Sequence, residues 1–176
     1  MKKFNSIRGG CRIDFKKLDK RRIYLGLQYG KNSIIAKEII KFTKCYAPYS
    51  DEIPTHVLAF VYRLKSWWIY ESHANGHEKL GLPSGVRRYK LEKWLEVEKK
   101  TQDEFKAVPL DISFSKLEEY IGYKYGLGDL QALLGAAIFR NNGKQKDHDG
   151  LICSEYISLC YPKIQEYLLL HFLIVH

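Results

Sequence analysis

The sequence predicts an α+β domain in which helices pack on an antiparallel sheet. Several short stretches rich in β-branched and aromatic residues end at glycine or proline, as strands do. Other stretches carry apolar residues at helical spacing behind a capping residue. The chain has 176 residues, of which 45% are hydrophobic and 28% charged. This length and composition suit one folded domain with a single core of ordinary size.

The first half of the chain predicts a strand, a helix and a hairpin. Residues 22–30 (RIYLGLQYG) mix β-branched and aromatic residues before a glycine, which indicates a strand. Residues 32–45 (NSIIAKEIIKFTKC) place apolar side chains at helical spacing behind a capping asparagine. Residues 56–73 form two apolar runs around a polar centre, which is typical of a β-hairpin. A glycine-rich loop over residues 76–85 follows.

The second half predicts three further elements before the C-terminal region. Residues 91–100 favour a short helix, and residues 105–113 a strand that its proline interrupts or ends. Ser115 and Glu118 have the spacing of a capping box, which places a helix start at Ser115. The apolar stretch 129–140 favours another helix.

The hairpin can be tested for side-chain register, because opposed residues on antiparallel strands share a face. If the turn is centred after Arg63, His56 lies opposite Glu71. If residues 63–66 form a four-residue loop, His56 lies opposite His73, and Glu71 is one diagonal step away on the same face. Both registers bring polar side chains together at the open end of an apolar ladder. A shift by one residue would separate them, and the turn sequence does not exclude that shift.

The stretch DGLICSEYISLCY, residues 149–161, predicts a helix that begins at Cys153. At a helix N-terminus the macrodipole and the free N–H groups favour thiolate over thiol, and the same N–H groups can hold an oxyanion. A histidine beside a carboxylate is held in one tautomer and becomes a better base. Cys153, His56 and Glu71 are therefore candidates for nucleophile, general base and orienting acid. The alternative is a cysteine that only fills the core, beside a histidine and a glutamate in ordinary structural contacts.

The chain order of these residues, a strand histidine, a carboxylate on the next strand and then a helix cysteine, points to one family. It resembles the circularly permuted papain-like cysteine hydrolases, the YiiX/YaeF-type branch that is related to NlpC-type amidases and to lecithin retinol acyltransferase. The resemblance runs from about Gly26 to Pro162 and rests on PTHVLAFVY, WIYESHANG, GYKYGLGDLQALLG and LICSEYISLCY. The sequence departs from the family at LGLQYG, where a Gly-Asp strand entry is expected.

The resemblance implies a single permuted papain-like (NlpC-type) domain over residues 23–176. It implies that Cys153 attacks an amide or ester carbonyl and forms a thioester, that His56 acts as base and then acid, and that Glu71 orients His56. In the acyltransferase branch a second histidine takes the orienting role, which here would be His73. The implied substrates are a peptidoglycan-type peptide amide or a lipid acyl group, with no cofactor. Tyr125 lies in a matching segment and is a candidate for the cleft wall.

Residues 1–22 form a basic N-terminal arm. They hold nine Lys or Arg residues against two Asp, which is most of the formal net charge of +9. Such an arm is usually a solvated terminus, and it can also contact phosphates or anionic lipid. The alternative function is therefore a non-catalytic module that binds nucleic acid or a membrane surface through this arm.

The remaining signals concern location, cysteine chemistry and metals. No stretch reaches the roughly 18 apolar residues of a membrane span, and no apolar segment follows the N-terminal charges as in a signal peptide. We therefore expect a cytoplasmic protein with reduced cysteines. Cys153 and Cys160 are too far apart along a helix to form a disulfide. His73 and His77 alone are too few ligands for a metal site, so none is predicted.

Overall fold

The computed structural model describes residues 13–30, 33–46, 52–98, 103–126 and 150–161. These residues form five strands, four α-helices and one short 3-10 helix. In chain order the elements are β1 (Ile23–Tyr29), α1 (Ile34–Tyr46), β2 (His56–Arg63), β3 (Ser66–His73), the 3-10 helix (Glu78–Leu80), β4 (Gly85–Lys90), α2 (Leu91–Glu98), β5 (Glu104–Leu110), α3 (Phe114–Glu119) and α4 (Cys153–Cys160).

The strands form one five-stranded sheet in the order β4-β3-β2-β1-β5, and every neighbouring pair is antiparallel. This confirms the predicted α+β class with helices on an antiparallel sheet. Helix α1 connects β1 to β2, and α2 connects β4 to β5. Pro109, which was predicted to interrupt or end this strand, lies within β5. Proline is tolerated there because β5 is an edge strand, and no strand pairs with its outer side.

The predicted hairpin is confirmed, and the structure selects one of its registers. Arg63 pairs with Ser66, so the two-residue turn consists of Leu64 and Lys65. Both turn residues have positive φ, 50° and 60°, as a type I′ turn requires. The register is the one predicted for a loop over residues 63–66. The register centred after Arg63 was wrong, because the turn lies one residue further along the chain.

The sheet separates two cores, because side chains alternate between its faces. The first core contains Leu25, Val57, Ala59, Val61, Tyr70, Val86, Ile112, Leu117, Tyr156, Ile157 and Cys160. The second core contains Tyr24, Leu58, Phe60, Trp67, Ile69, Leu82, Tyr89, Trp94 and Phe105.

Each face is covered by different segments. Helix α4 packs on the first core through Tyr156 and Ile157, both fully buried, and the Tyr156 hydroxyl donates to the Leu117 carbonyl at 2.8 Å. Helix α2 covers the second core through Trp94. The end of the basic arm also packs there, since the ring of Phe15 lies 5.1 Å from that of Phe60. Residues 13–22 of the arm are therefore attached to the sheet.

Two sequence predictions differ from the structure. The predicted loop over residues 76–85 is followed directly by strand β4, which the sequence analysis missed. The predicted capping box was also wrong. Ser113 is the N-cap of α3 and makes no side-chain capping bond, whereas Ser115 lies inside the helix. Glu118 instead accepts hydrogen bonds from the Arg63 guanidinium and the Tyr70 hydroxyl, both distant in sequence.

The predicted helix over residues 129–140 and residues 1–12 of the arm lie outside the described residues. The division into an arm and one domain stays a prediction. No helix among the described segments is long and apolar enough to cross a membrane.

Candidate active site

The open end of the central hairpin carries a histidine–carboxylate pair. His56 is the first residue of β2, and Glu71 lies near the end of β3. The His56 Nε2 and Glu71 Oε2 atoms are 2.9 Å apart, with 14% of the histidine side chain and 3% of the glutamate side chain exposed. The structure thus brings together two of the predicted site residues by the diagonal contact that the register implies.

The other oxygen of Glu71 is held by strand β4. Arg87 donates to Glu71 Oε1 through Nε at 2.9 Å and Nη2 at 2.7 Å, and the Tyr89 hydroxyl donates to the same oxygen at 2.7 Å. Three donors therefore converge on Oε1, whereas Oε2 has the contact with His56. The orientation of Glu71 is therefore fixed from two strands.

Cys153 is the first residue of α4, as predicted, and its side chain is partly exposed. The Cys153 sulfur and the His56 imidazole interact, since each shifts the pKa of the other toward its charged form. Because the Nε2 atom of His56 is engaged by Glu71, Nδ1 is the ring nitrogen left to face the sulfur. The backbone N–H groups of Val57 and Ser154 also lower the pKa of the thiol. The cysteine, histidine and glutamate therefore form one connected chain of contacts.

The charges of Cys153, His56 and Glu71 reinforce one another. Burial by itself would lower the pKa of His56, but the Cys153 sulfur and the Glu71 carboxylate raise it to about 10. Burial would raise the pKa of the Cys153 thiol, but the charge and hydrogen bond of His56 hold it below its ordinary value. Burial would likewise raise the pKa of Glu71, and its bond to His56 keeps it well below its usual range. Both shifts favour the charged forms, a thiolate beside an imidazolium.

The contact between sulfur and imidazole occurs at the end of the sheet. Glu71 and Tyr89 share the face of the second core, and His56 joins them there, whereas α4 packs on the first core. In the middle of a strand the sheet itself would separate the two faces. His56 and Cys153 are each the first residue of their element, so their side chains can meet beyond the strand end.

His73, the alternative orienting residue, lies beside the pair without replacing Glu71. Its ring centroid is 5.4 Å from that of His56, at an interplanar angle of 73°. Its Nδ1 atom lies 3.1 Å from the backbone N–H nitrogen of Asn75. Burial lowers the pKa of His73, which favours the neutral ring. The carboxylate rather than this imidazole contacts Nε2 of His56.

Tyr125, the predicted cleft residue, lies next to the segment that leads to the thiol. A parallel bridge joins Lys124 to Gly150, and Leu151 donates to the Lys124 carbonyl at 2.9 Å. A Cβ atom at Gly150 would lie 2.6 Å from the Tyr125 carbonyl carbon, so only glycine allows this close approach. The backbone of Tyr125 thus supports the segment before Cys153, and its role in a cleft stays a prediction.

Sequence analysis missed Arg87 and Tyr89 because they lie on the missed strand β4. Their signal was present, since the two residues alternate along GVRRYK and so share a face. Within the described segments, no group of three or more His, Cys, Asp or Glu side chains is placed to hold a metal ion.

We compared the chain with models of protein families, with curated proteins and with solved structures, and none of the three comparisons finds a match.

Proposed function

We propose that this protein is a cysteine-dependent hydrolase or acyltransferase that acts on an amide or ester carbonyl through a thioester at Cys153. The observation that carries the proposal is the connected contact of thiol, imidazole and buried carboxylate. A nucleophile, a base and a group that orients the base, each within hydrogen-bond reach of the next, are the parts that acyl transfer requires.

The mechanism follows from the charges of the three groups. The Cys153 thiolate attacks the carbonyl carbon, so that a C–S bond forms and the carbonyl oxygen becomes an oxyanion. The backbone N–H of Cys153, at the start of α4, has no acceptor within the helix and can bind that oxygen. The imidazolium of His56 gives its proton to the leaving nitrogen or oxygen as the bond to carbon breaks, which leaves a thioester.

The second half of the reaction restores the enzyme. Water or another acceptor attacks the thioester carbon while neutral His56 takes the proton of the attacking group. The C–S bond then breaks, and the sulfur leaves as thiolate beside the imidazolium. Glu71 stays ionised throughout and stabilises the charged ring, as the acid member of a triad does.

The proposed fold family is that of the permuted papain-like cysteine hydrolases. Its support is the chain order, with the histidine strand and the carboxylate strand before the cysteine helix, together with the antiparallel sheet. By analogy with that family we propose a peptidoglycan-type peptide amide or a lipid acyl group as substrate. The cytoplasmic location and the lack of a cofactor stay predictions.

The direct test is an acyl adduct. The protein is mixed with an activated acetyl ester at neutral pH, and the mass of the intact chain and of its Cys153 peptide is measured. We expect one acetyl group on Cys153 and none in Cys153→Ala. Cys160 is a matched control on the same helix, because it is 2% exposed and burial raises its pKa to about 12. Cys160→Ala should acylate normally; unchanged acylation of Cys153→Ala would refute the proposal.

A second candidate function, a polyanion-binding module, is favoured by a separate cavity of about 610 Å³ at the other end of β2. Its lining includes four cations, of which the first three belong to the end of the arm: Lys20, Arg21, Arg22 and Arg63. Deleting the arm would remove Phe15 from the second core, so charge variants are the better test. Lys20→Gln with Arg22→Gln should weaken binding to a labelled oligonucleotide or to anionic vesicles and flatten its salt dependence. If the wild-type protein does not bind either probe at low salt, this function is excluded.

A further inference from the structure

Arg87 is the one buried Lys or Arg among the described residues, with 4% of its side chain exposed. All of its contacts lie in one small region. Besides its two bonds to Glu71 Oε1, its Nη1 atom donates to the Asn75 carbonyl at 2.9 Å and to the Pro83 carbonyl at 2.8 Å. These carbonyls lie near the two ends of the segment between β3 and β4. One guanidinium therefore ties that segment to the carboxylate.

A structural role alone is a weak explanation for this arrangement. Burying two charges costs several kcal/mol per ion, and a well-packed apolar pair of similar volume is often as stable. What sets this pair apart is the second oxygen of Glu71, which contacts His56. The planar guanidinium of Arg87 donates through Nε and Nη2 to Oε1 alone, which anchors that oxygen and leaves Oε2 to contact His56.

We propose that Arg87 is a positioning residue for the thiol chemistry, which holds Glu71 ionised and turned toward His56. This proposal rests on the proposed function of Cys153. Arg87 touches neither the sulfur nor the imidazole, so its effect passes through Glu71 alone. Tyr89 supports the same oxygen from the same strand and contributes in the same direction.

The direction of the effect follows from the surroundings of Glu71. If Arg87 becomes Gln, the buried carboxylate loses the charged donor on Oε1, and burial then raises its pKa. A protonated Glu71 no longer stabilises imidazolium, so the pKa of His56 falls and that of the thiol rises. The titratable and charged groups around the carboxylate are His56 from β2, His73 from β3, Arg87 and Tyr89 from β4, Glu98 of α2 beside Tyr89, and Cys153 beyond His56.

The experiment measures the pH dependence of Cys153 alkylation by iodoacetamide, followed on the Cys153 peptide by mass spectrometry. In the wild type the rate should persist well below pH 8.5, because only the thiolate reacts. In Arg87→Gln the pH at which the alkylation rate falls off should move up by about one unit or more, which lowers the alkylation rate about tenfold at pH 6. Arg87→Lys keeps a charge but not the fork and should give a smaller shift.

Arg88→Gln is the matched control. Arg88 is the next residue of β4, points to the other face and pairs with Glu118. Its variant should keep the wild-type pH profile. If Arg87→Gln melts earlier but shows the wild-type thiol pKa, Arg87 is merely structural and the proposal is overturned.

Two other outcomes are also decisive. A wild-type protein whose thiol titrates at its ordinary pKa would remove the proposed function itself, and this proposal with it. If Arg87→Gln does not fold, Tyr89→Phe removes one donor from the same oxygen without leaving a charge unpaired. An unshifted thiol pKa in both Tyr89→Phe and Arg87→Lys would then overturn the proposal.

Discussion

Replacing Glu71 by Gln tests whether the site depends on a carboxylate or only on its shape. The carboxylate accepts from His56 on one oxygen and from Arg87 and Tyr89 on the other. An amide of the same size can accept on one side only, because its other terminal atom is an NH2 group. If that group faces His56, the Nε2 atom there must lose its proton, and the ring can no longer be an imidazolium. If it faces Arg87, two donors oppose each other.

The magnitudes follow from burial. The side chains of Glu71 and Arg87 are only 3% and 4% exposed, so the variant leaves a buried guanidinium without its counter-charge. Breaking a buried pair in this way costs about 3–5 kcal/mol, from a typical total stability of about 5–15 kcal/mol. The variant should therefore fold at 25 °C but melt earlier. Removing the charge that stabilises the imidazolium should slow acylation of Cys153 by about 10²–10⁴-fold.

The assay combines thermal unfolding with the acylation rate and its pH dependence. Glu118→Gln is the matched control, because Glu118 also pairs with two arginines and a tyrosine but is 28% exposed and lies on the first-core face. Glu118→Gln should lose a little stability and keep the wild-type thiol pKa. The double variant Glu71→Gln with Arg87→Met should regain stability without regaining reactivity, since no unpaired charge remains. Wild-type acylation and thiol pKa in Glu71→Gln would refute the proposed role of the carboxylate.

The remaining predictions concern stability. The pKa of Glu71 is held below its ordinary value of 4.5, so the stabilising contribution of its charge is complete above that pH and is lost as the pH falls further. The difference in melting temperature between the wild type and Glu71→Gln should therefore narrow as the pH falls below 4.5. Gly85→Ala should cost about 1–3 kcal/mol in urea unfolding, because φ is +99° and a Cβ would lie 2.2 Å from a backbone oxygen. Gly81→Ala, at φ +63° with open space around it, should cost only about 1 kcal/mol, and equal costs would contradict the reasoning. The double variant Leu64→Asn with Lys65→Gly places residues that tolerate positive φ at both turn positions. Its free energy of unfolding should rise by about 1 kcal/mol without a change in thiol reactivity.

The sequence predicted those elements whose signal lies within a few consecutive residues. The strand at residues 22–30, the central hairpin and the helix at Cys153 each carry their periodicity within a few residues. The hairpin register stayed open because Leu64 and Lys65 are not turn formers, and the pairing is decided by how the strands bury their faces. The spacing of Ser115 and Glu118 was misleading for a related reason. Long-range partners recruit the glutamate, and no local pattern could reveal them.

The candidate site was predicted in part for the same reason. The residues that contact one another through register, His56 and Glu71, could be placed from the hairpin alone. Arg87 and Tyr89 were not placed, because the glycine and the two adjacent arginines of GVRRYK suggest a polar loop and obscure the alternation that these residues share. Their contribution depends on a third strand pairing beside β3, which is a tertiary event.

The position of the thiol depends on how the segment before α4 is anchored. The sheet would block any contact between α4 and a side chain that points to the second core from the middle of β2. Cys153 can reach only His56, the first residue of β2, and only if α4 begins beside the end of that strand. The Ser72 hydroxyl donates to the Leu151 carbonyl, and Leu151 in turn donates to Lys124, so the segment is held between β3 and the chain after α3. Because Ser72 directly follows Glu71, the strand that supplies the carboxylate also sets where the helix with the sulfur begins.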